Sequence, residues 1–173
     1  MIIDCLSKAI LLFAIYNIVA LMLFGVPKSL SMTYYLFKER EDCLKALFPV
    51  TITLICILLM PCWLEISKGS PWQFTSFLGA GTLLFVGFAP AFKSNYLEKR
   101  VHETSAYAAA LFSMLWIIMV TPFWYIILIV LGIVAGLAIW TKTWKKCCIY
   151  WLEMVAFAST FISITCYYVS QIC

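Results

Sequence analysis

Six blocks of about 20 mostly apolar residues follow one another along this chain of 173, separated by short polar gaps. A helix needs about 20 such residues to cross a hydrocarbon core of roughly 30 Å, and in lipid every backbone N–H and C=O must be satisfied within the spanning element. The blocks lie at about 5–26, 44–65, 72–92, 102–120, 122–141 and 148–171. They predict an all-α fold, a polytopic transmembrane helical bundle with six spans, built as a single transmembrane domain over residues 1–173. Hydrophobic residues make up 65% of the chain and charged ones 12%, which excludes an ordinary soluble domain. The longest connection, about 27–43, is too short to hold a nucleotide-binding engine or any sizeable soluble module. The first block runs from Ala9 to Val26, longer than a signal-peptide core. Pro27 and Lys28 follow it in place of a small-residue cleavage site, so it is expected to stay as an anchor.

Charge sets the expected orientation. Of the 12 Lys and Arg residues, Lys28, Lys38, Arg40 and Lys45 surround the first gap, Lys93, Lys99 and Arg100 the third, and Lys142, Lys145 and Lys146 the fifth. Only Lys8 and Lys68 fall on the other side. Positively charged loops are retained on the cytoplasmic side. Loops 27–43, 93–101 and 142–147 are therefore expected to be cytoplasmic, with both termini outside. The net charge of +4 has a sufficient explanation in this topology and in anionic headgroups, so membrane lipids are expected partners and nucleic acid is not.

The connections and small residues say how the spans pack. Ser67-Lys68-Gly69-Ser70-Pro71 and Thr121-Pro122 are tight turns, predicting two antiparallel helical hairpins. Trp63, Trp72, Trp124 and Tyr125 on one side, with Trp144, Tyr150 and Trp151 on the other, fit aromatic belts at the two interfaces. Gly132 and Gly136 form a GxxxG in the fifth block, and Ser105, Ala109 and Ser113 recur every four residues in the fourth. Either set can serve packing within the chain, and the GxxxG face can instead meet a second copy or another protein. Gly79-Ala80-Gly81 begins like a dinucleotide fingerprint, but Leu84 stands where the last glycine belongs and no strand precedes it.

Eight cysteines lie at different depths, and only Cys5, Cys62 and Cys173 fall near the outer face, leaving at most one intramolecular disulfide open there. No cysteine pair has zinc-site spacing, and one histidine does not make a multi-histidine metal site. No metal or cofactor is expected.

Ionisable residues within spans are the usual pointers to function, and they are few here. Glu153 lies about one turn into the last block, and His102 and Glu103 open the fourth at the same expected depth, so a His102–Glu153 contact is predicted to be within reach. The first loop adds Ser29, Ser31, Thr33, Tyr34 and Tyr35, then Lys38 to Asp42. After Pro27 it is expected to form a short interfacial helix. With His102, Glu103 and Glu153 it could line an inward-facing pocket for a headgroup or small solute. Asn17 is the main midspan amide, suited to a bond across helices or to the border of a path.

Ser29-Leu30-Ser31-Met32-Thr33-Tyr34-Tyr35 after the first span, Arg40 to Asp42 at the entry to the second, the glycine-rich third span ending in Pro90, and His102 opening the fourth together resemble a group of uncharacterised bacterial multispan membrane proteins. The resemblance covers about the first two-thirds of the chain. It implies a protein of the bacterial inner membrane and directs attention to the first loop and His102, without implying an activity. Glu41 interrupts the usual spacing of the Arg40 and Asp42 pair.

Shortage of catalytic groups favours a non-enzymatic protein that binds or passes a small or lipid-like ligand, or serves as a membrane subunit of a larger assembly. A lipid-modifying intramembrane enzyme would use His102 as acid or base, Glu153 to orient it, and Ser31 or Ser105 as nucleophile. A passive or ion-coupled transporter is the third reading, although no file of carboxylates crosses the chain.

Overall fold

A computed structural model of the chain describes residues 2–93 and 95–172. Seven α-helices account for nearly all of it: α1 (Ile2–Phe24), α2 (Thr33–Arg40), α3 (Leu47–Ile66), α4 (Phe74–Phe88), α5 (Tyr96–Val120), α6 (Tyr125–Trp140) and α7 (Trp144–Ile172). A 3-10 turn, Asp42–Ala46, leads into α3, and no strand occurs among the described residues. Four stretches are long and apolar enough to cross a membrane: Ile2–Phe24, Asp42–Ile66, Tyr96–Val120 and Trp144–Gln171. Only 22–44% of each apolar window is buried within the chain, so most of each helix turns apolar side chains outward. Met22, Phe88 and Trp140 are among the side chains left bare. Such continuous apolar exposure is stable in hydrocarbon and not in water, and the chain is an all-helical membrane protein.

Local chemistry shifts the helix ends from their expected places. α4 has 15 residues and α6 has 16, about 23 and 24 Å at 1.5 Å per residue, shorter than the expected blocks 72–92 and 122–141. Pro90 is the reason at the C-terminal end of α4: the residue before proline is driven out of the helical region, and Ala89 sits at φ −113°, ψ 56°. α6 closes on Lys142, which takes φ +57° while the Thr143 N–H returns to the Ala138 carbonyl at 3.0 Å. In the other direction, α5 begins at Tyr96, well before residue 102, because the Asn95 side chain caps it by accepting from the Leu97 N–H at 2.8 Å. His102 therefore lies nearly two turns inside a helix and does not open one. The expected interfacial helix after Pro27 corresponds to α2.

α3 is the central element. It packs on α1 and α4, α4 packs on α5, and α7 touches α5, α1 and α3, while α6 lies outside, mainly against α7. Ile52, Ile55, Cys56 and Leu59 of α3 are buried, and Pro49 is tolerated because it falls in the helix's first turn. Gly87 lets α4 close on α3: a Cβ there would lie 3.0 Å from Thr53 Oγ1 and 3.5 Å from the Pro49 carbonyl. At one end of the bundle Trp116 Nε1–H donates to Ser67 Oγ at 2.6 Å, and that hydroxyl donates to the Trp63 carbonyl at 2.6 Å, tying α5 to α3. Ser105, Ala109 and Ser113 are buried. Gly132 and Gly136 are exposed, and a Cβ on either would meet nothing within 4 Å, so the GxxxG face does no packing among the described residues.

Candidate functional site

The three lysine-bearing connections meet at one end of the bundle. Residues 26–30, between α1 and α2, run along the start of α7 in three rungs. Cys147 Sγ–H donates to the Val26 carbonyl at 3.3 Å, the Tyr150 N–H donates to the Lys28 carbonyl at 3.1 Å, and Glu153 Oε2 accepts from the Leu30 N–H at 2.6 Å. Alternate residues of an extended strap thus pair with every third residue of a helix. Cys147 itself departs from helical geometry, at φ −127° and ψ 27°, and the kink accompanies the turn of the Tyr150 N–H toward the strap. Ser29 and Ser31 shape the strap locally: Ser29 Oγ accepts from the Met32 N–H at 3.1 Å and lies 3.2 Å from Ser31 Oγ.

Behind the strap lies a buried polar layer. Tyr16 and Thr33 join hydroxyl to hydroxyl, which pins α2 to α1. Asn17 Nδ2 donates to the Phe13 carbonyl of its own helix at 2.9 Å, and its Oδ1 accepts from Tyr150 Oη of α7 at 3.3 Å.

His102 belongs to a second group. Its ring stacks on Phe92 with centroids 4.6 Å apart and an interplanar angle of 18°, and Phe48 lies 6.4 Å away on another side. Phe92 in turn meets Tyr35 edge-on at 5.2 Å, and Tyr35 meets Tyr34 at 5.0 Å. Tyr35 Oη accepts from the Lys93 N–H at 2.6 Å while the Lys93 ammonium rests over its ring at 4.5 Å. Burial holds the Tyr35 phenol above its usual range, and the Lys93 N–H works against that rise. His102 Nδ1 is buried with no hydrogen-bond partner among the described residues. Glu103 is exposed and faces Lys99 at 3.9 Å.

The strap that carries Ser29 and Ser31 thus meets Glu153 through the Leu30 N–H, and Tyr34 and Tyr35 connect to His102 through Phe92, in two separate groups. The predicted His102–Glu153 contact does not form among the described residues, because Phe48 and Phe92 enclose the imidazole while Glu153 is engaged by the Leu30 N–H. Cys5 and Cys62 are free thiols, and Cys173 lies outside the described residues.

No run of residues announces the remaining feature. A slot, partly open to its surroundings and with about 610 Å³ of empty space in all, lies between α3, α4, α5 and α7. Phe48 and Trp63 stand at its two ends, fifteen residues apart along α3, or about 22 Å. Ala106, Ala109 and Ala110 of α5 face Ala156 of α7 across it, and these small side chains are why the helices leave a gap. The two hydroxyls in its walls are turned back on their own helices, Ser113 donating to the Ala109 carbonyl at 2.6 Å and Thr160 to the Ala156 carbonyl at 2.8 Å. Glu153 is the one ionisable side chain in the lining, beside Leu30 at the strapped end. No protein-family model matches the chain, no curated protein is detectably similar in sequence, and no solved structure matches it.

Proposed function

We propose that this is a non-enzymatic, six-span integral membrane protein, a single domain over residues 1–173, that holds a lipid-like ligand in the slot between α3, α4, α5 and α7. The observation that carries the reading is the slot itself, long and mainly apolar, with one carboxylate at the end where the lysine-bearing connections gather. Pockets that take small molecules are concave, mainly apolar and supplied with a few convergent polar groups. An acyl chain fits the middle of such walls, where Ser113 and Thr160 are satisfied by their own helices.

In the orientation that positive charge favours, the strap, α2 and the α4–α5 connection face the cytoplasm and both termini face out. α4 and α6 then cross with the help of flanking turns and interfacial residues, as short spans do. The inner membrane of a bacterium follows from the resemblance of the first loop and His102. The exposed Gly132 and Gly136 leave α6 free to meet a second copy or a partner protein. The enzymatic alternative needs an acid–base pair, and His102 and Glu153 stand in different groups; the transporter alternative needs a continuous polar path, and the slot walls are apolar.

The test is lipid content. Purified protein should carry single-chain or diacyl lipid through detergent exchange, seen by native mass spectrometry. Ala109→Trp, which fills the slot, should lose that lipid while keeping its helical circular dichroism and its elution volume. Unchanged lipid content in that variant would sink the reading.

A further inference from the structure

We infer that the slot takes a single-chain amphiphile whose head donates a hydrogen bond, a long-chain alcohol or amine, with the head at Glu153 and the chain running toward Trp63. The inference rests on the lipid-binding reading above and adds the chemistry and direction of the ligand.

Length and lining come first. The slot follows α3 from Phe48 to Trp63, about 22 Å, which matches one extended single-chain amphiphile, and its lining is apolar apart from Ser113, Glu153, Thr160 and the Trp63 indole nitrogen. The walls have no free donor or acceptor along their middle, since Ser113 and Thr160 are satisfied by their own helices. A chain with polar groups partway along would leave them unpaired there, at the full cost of desolvation.

The head follows from Glu153. Its Oε2 is occupied by the Leu30 N–H, and the Leu30 amide is the only group that donates to this carboxyl among the described residues. No lysine, arginine or histidine forms an ion pair with it among the described residues. Oε1 is left as an acceptor at the slot's end. A hydroxyl or ammonium head supplies the missing donor. A carboxylate or phosphate head would instead bring further acceptors and its own negative charge to a place where no cation pairs with Glu153 among the described residues. Two lysines of the same bundle end are held elsewhere, Lys93 on Tyr35 and Lys99 by Glu103, both in the His102 group.

The experiment compares tetradecanol, tetradecylamine and tetradecanoic acid on the full chain in nanodiscs of uncharged lipid, by native mass spectrometry and by the concentration that protects against heat. Alcohol and amine should bind on the order of tenfold or more tighter than the acid, the factor expected when one hydrogen bond to a charged group is made or lost. Glu153→Gln keeps an oxygen for Leu30 and should weaken the amine about tenfold while leaving the alcohol within about threefold. Glu153→Lys should reverse the order and favour the acid. Ala109→Trp should abolish all three. If the three probes bind alike and Ala109→Trp still abolishes them, the slot reading stands and the head assignment is wrong. If Ala109→Trp changes nothing, or no probe binds, the slot reading itself fails and the head assignment falls with it.

Discussion

Replacing Glu153 by alanine removes the third rung between the strap and α7 and leaves the Leu30 N–H without an acceptor. Leu30 is 2% exposed, so water cannot fill the place freely. A buried donor stranded by the loss of its acceptor costs about 1–3 kcal/mol. The 2.6 Å contact, short and tying residues 123 apart in sequence, places the loss near the middle of that range, about 2 kcal/mol. At about 2–4 °C per kcal/mol for a chain of this size, Glu153→Ala should melt about 4–8 °C early. Glu153→Gln can still accept from Leu30 and should lose less than half as much. Buried free thiols at Cys56, Cys62 and Cys147 allow the melt to be followed with a fluorogenic maleimide, with exposed Cys43 as the constant background. The upper rungs at Val26 and Lys28 remain, so unfolding should stay cooperative while trypsin cuts earlier at Lys28 and Lys38. Equal losses in the alanine and glutamine variants, or melting of the alanine variant within 1 °C of the parent on the same scale, would refute the argument.

Three further outcomes follow from the packing and the charge pattern. Gly87→Leu should destabilise by about 1–3 kcal/mol, because even its Cβ meets Thr53 Oγ1 at 3.0 Å, whereas Gly81→Ala, with nothing within 4 Å, should be neutral; similar melting of the two would remove the α3–α4 close approach. Trp116→Phe should cost about 1 kcal/mol through loss of the bond to Ser67. Combining it with Ser67→Ala should cost less than the sum of the two single changes; strict additivity would show that the bond is not made. In a variant keeping Cys43 alone, an impermeant maleimide should label permeabilised cells and spare intact ones, and labelling of intact cells would reverse the orientation.

Parts of this arrangement were written locally. Asn95-Tyr96-Leu97-Glu98 is a helix-start pattern, with a capping side chain followed three residues later by an acid, and it predicts the early start of α5 that the apolar block alone misses. Glu98 does not complete the reciprocal bond: its Oε1 accepts from the Ala91 N–H at 3.0 Å and so fastens the preceding loop. Pro90 likewise carried the early end of α4. Asn17 was legible as a bond across helices, though not its partner, because nothing in the first span says that Tyr150 of the last will stand beside it. The GxxxG of α6 was legible as a motif and not as a contact, since only placement at the outside of the bundle leaves both glycines open.

The sequence by itself determined that this chain is helical and made for a membrane, since apolar runs of this length have one way to satisfy their backbone out of water. It also indicated which residues could matter at the lysine-bearing end. Only the tertiary structure decided how they group. Hydropathy gives each helix its length but not its rotation or its neighbours, and those are set by small side chains meeting across helices far apart in sequence. That is why His102 and Glu153 part company, and why the alanines of α5 and α7 leave a slot that no local stretch of residues describes.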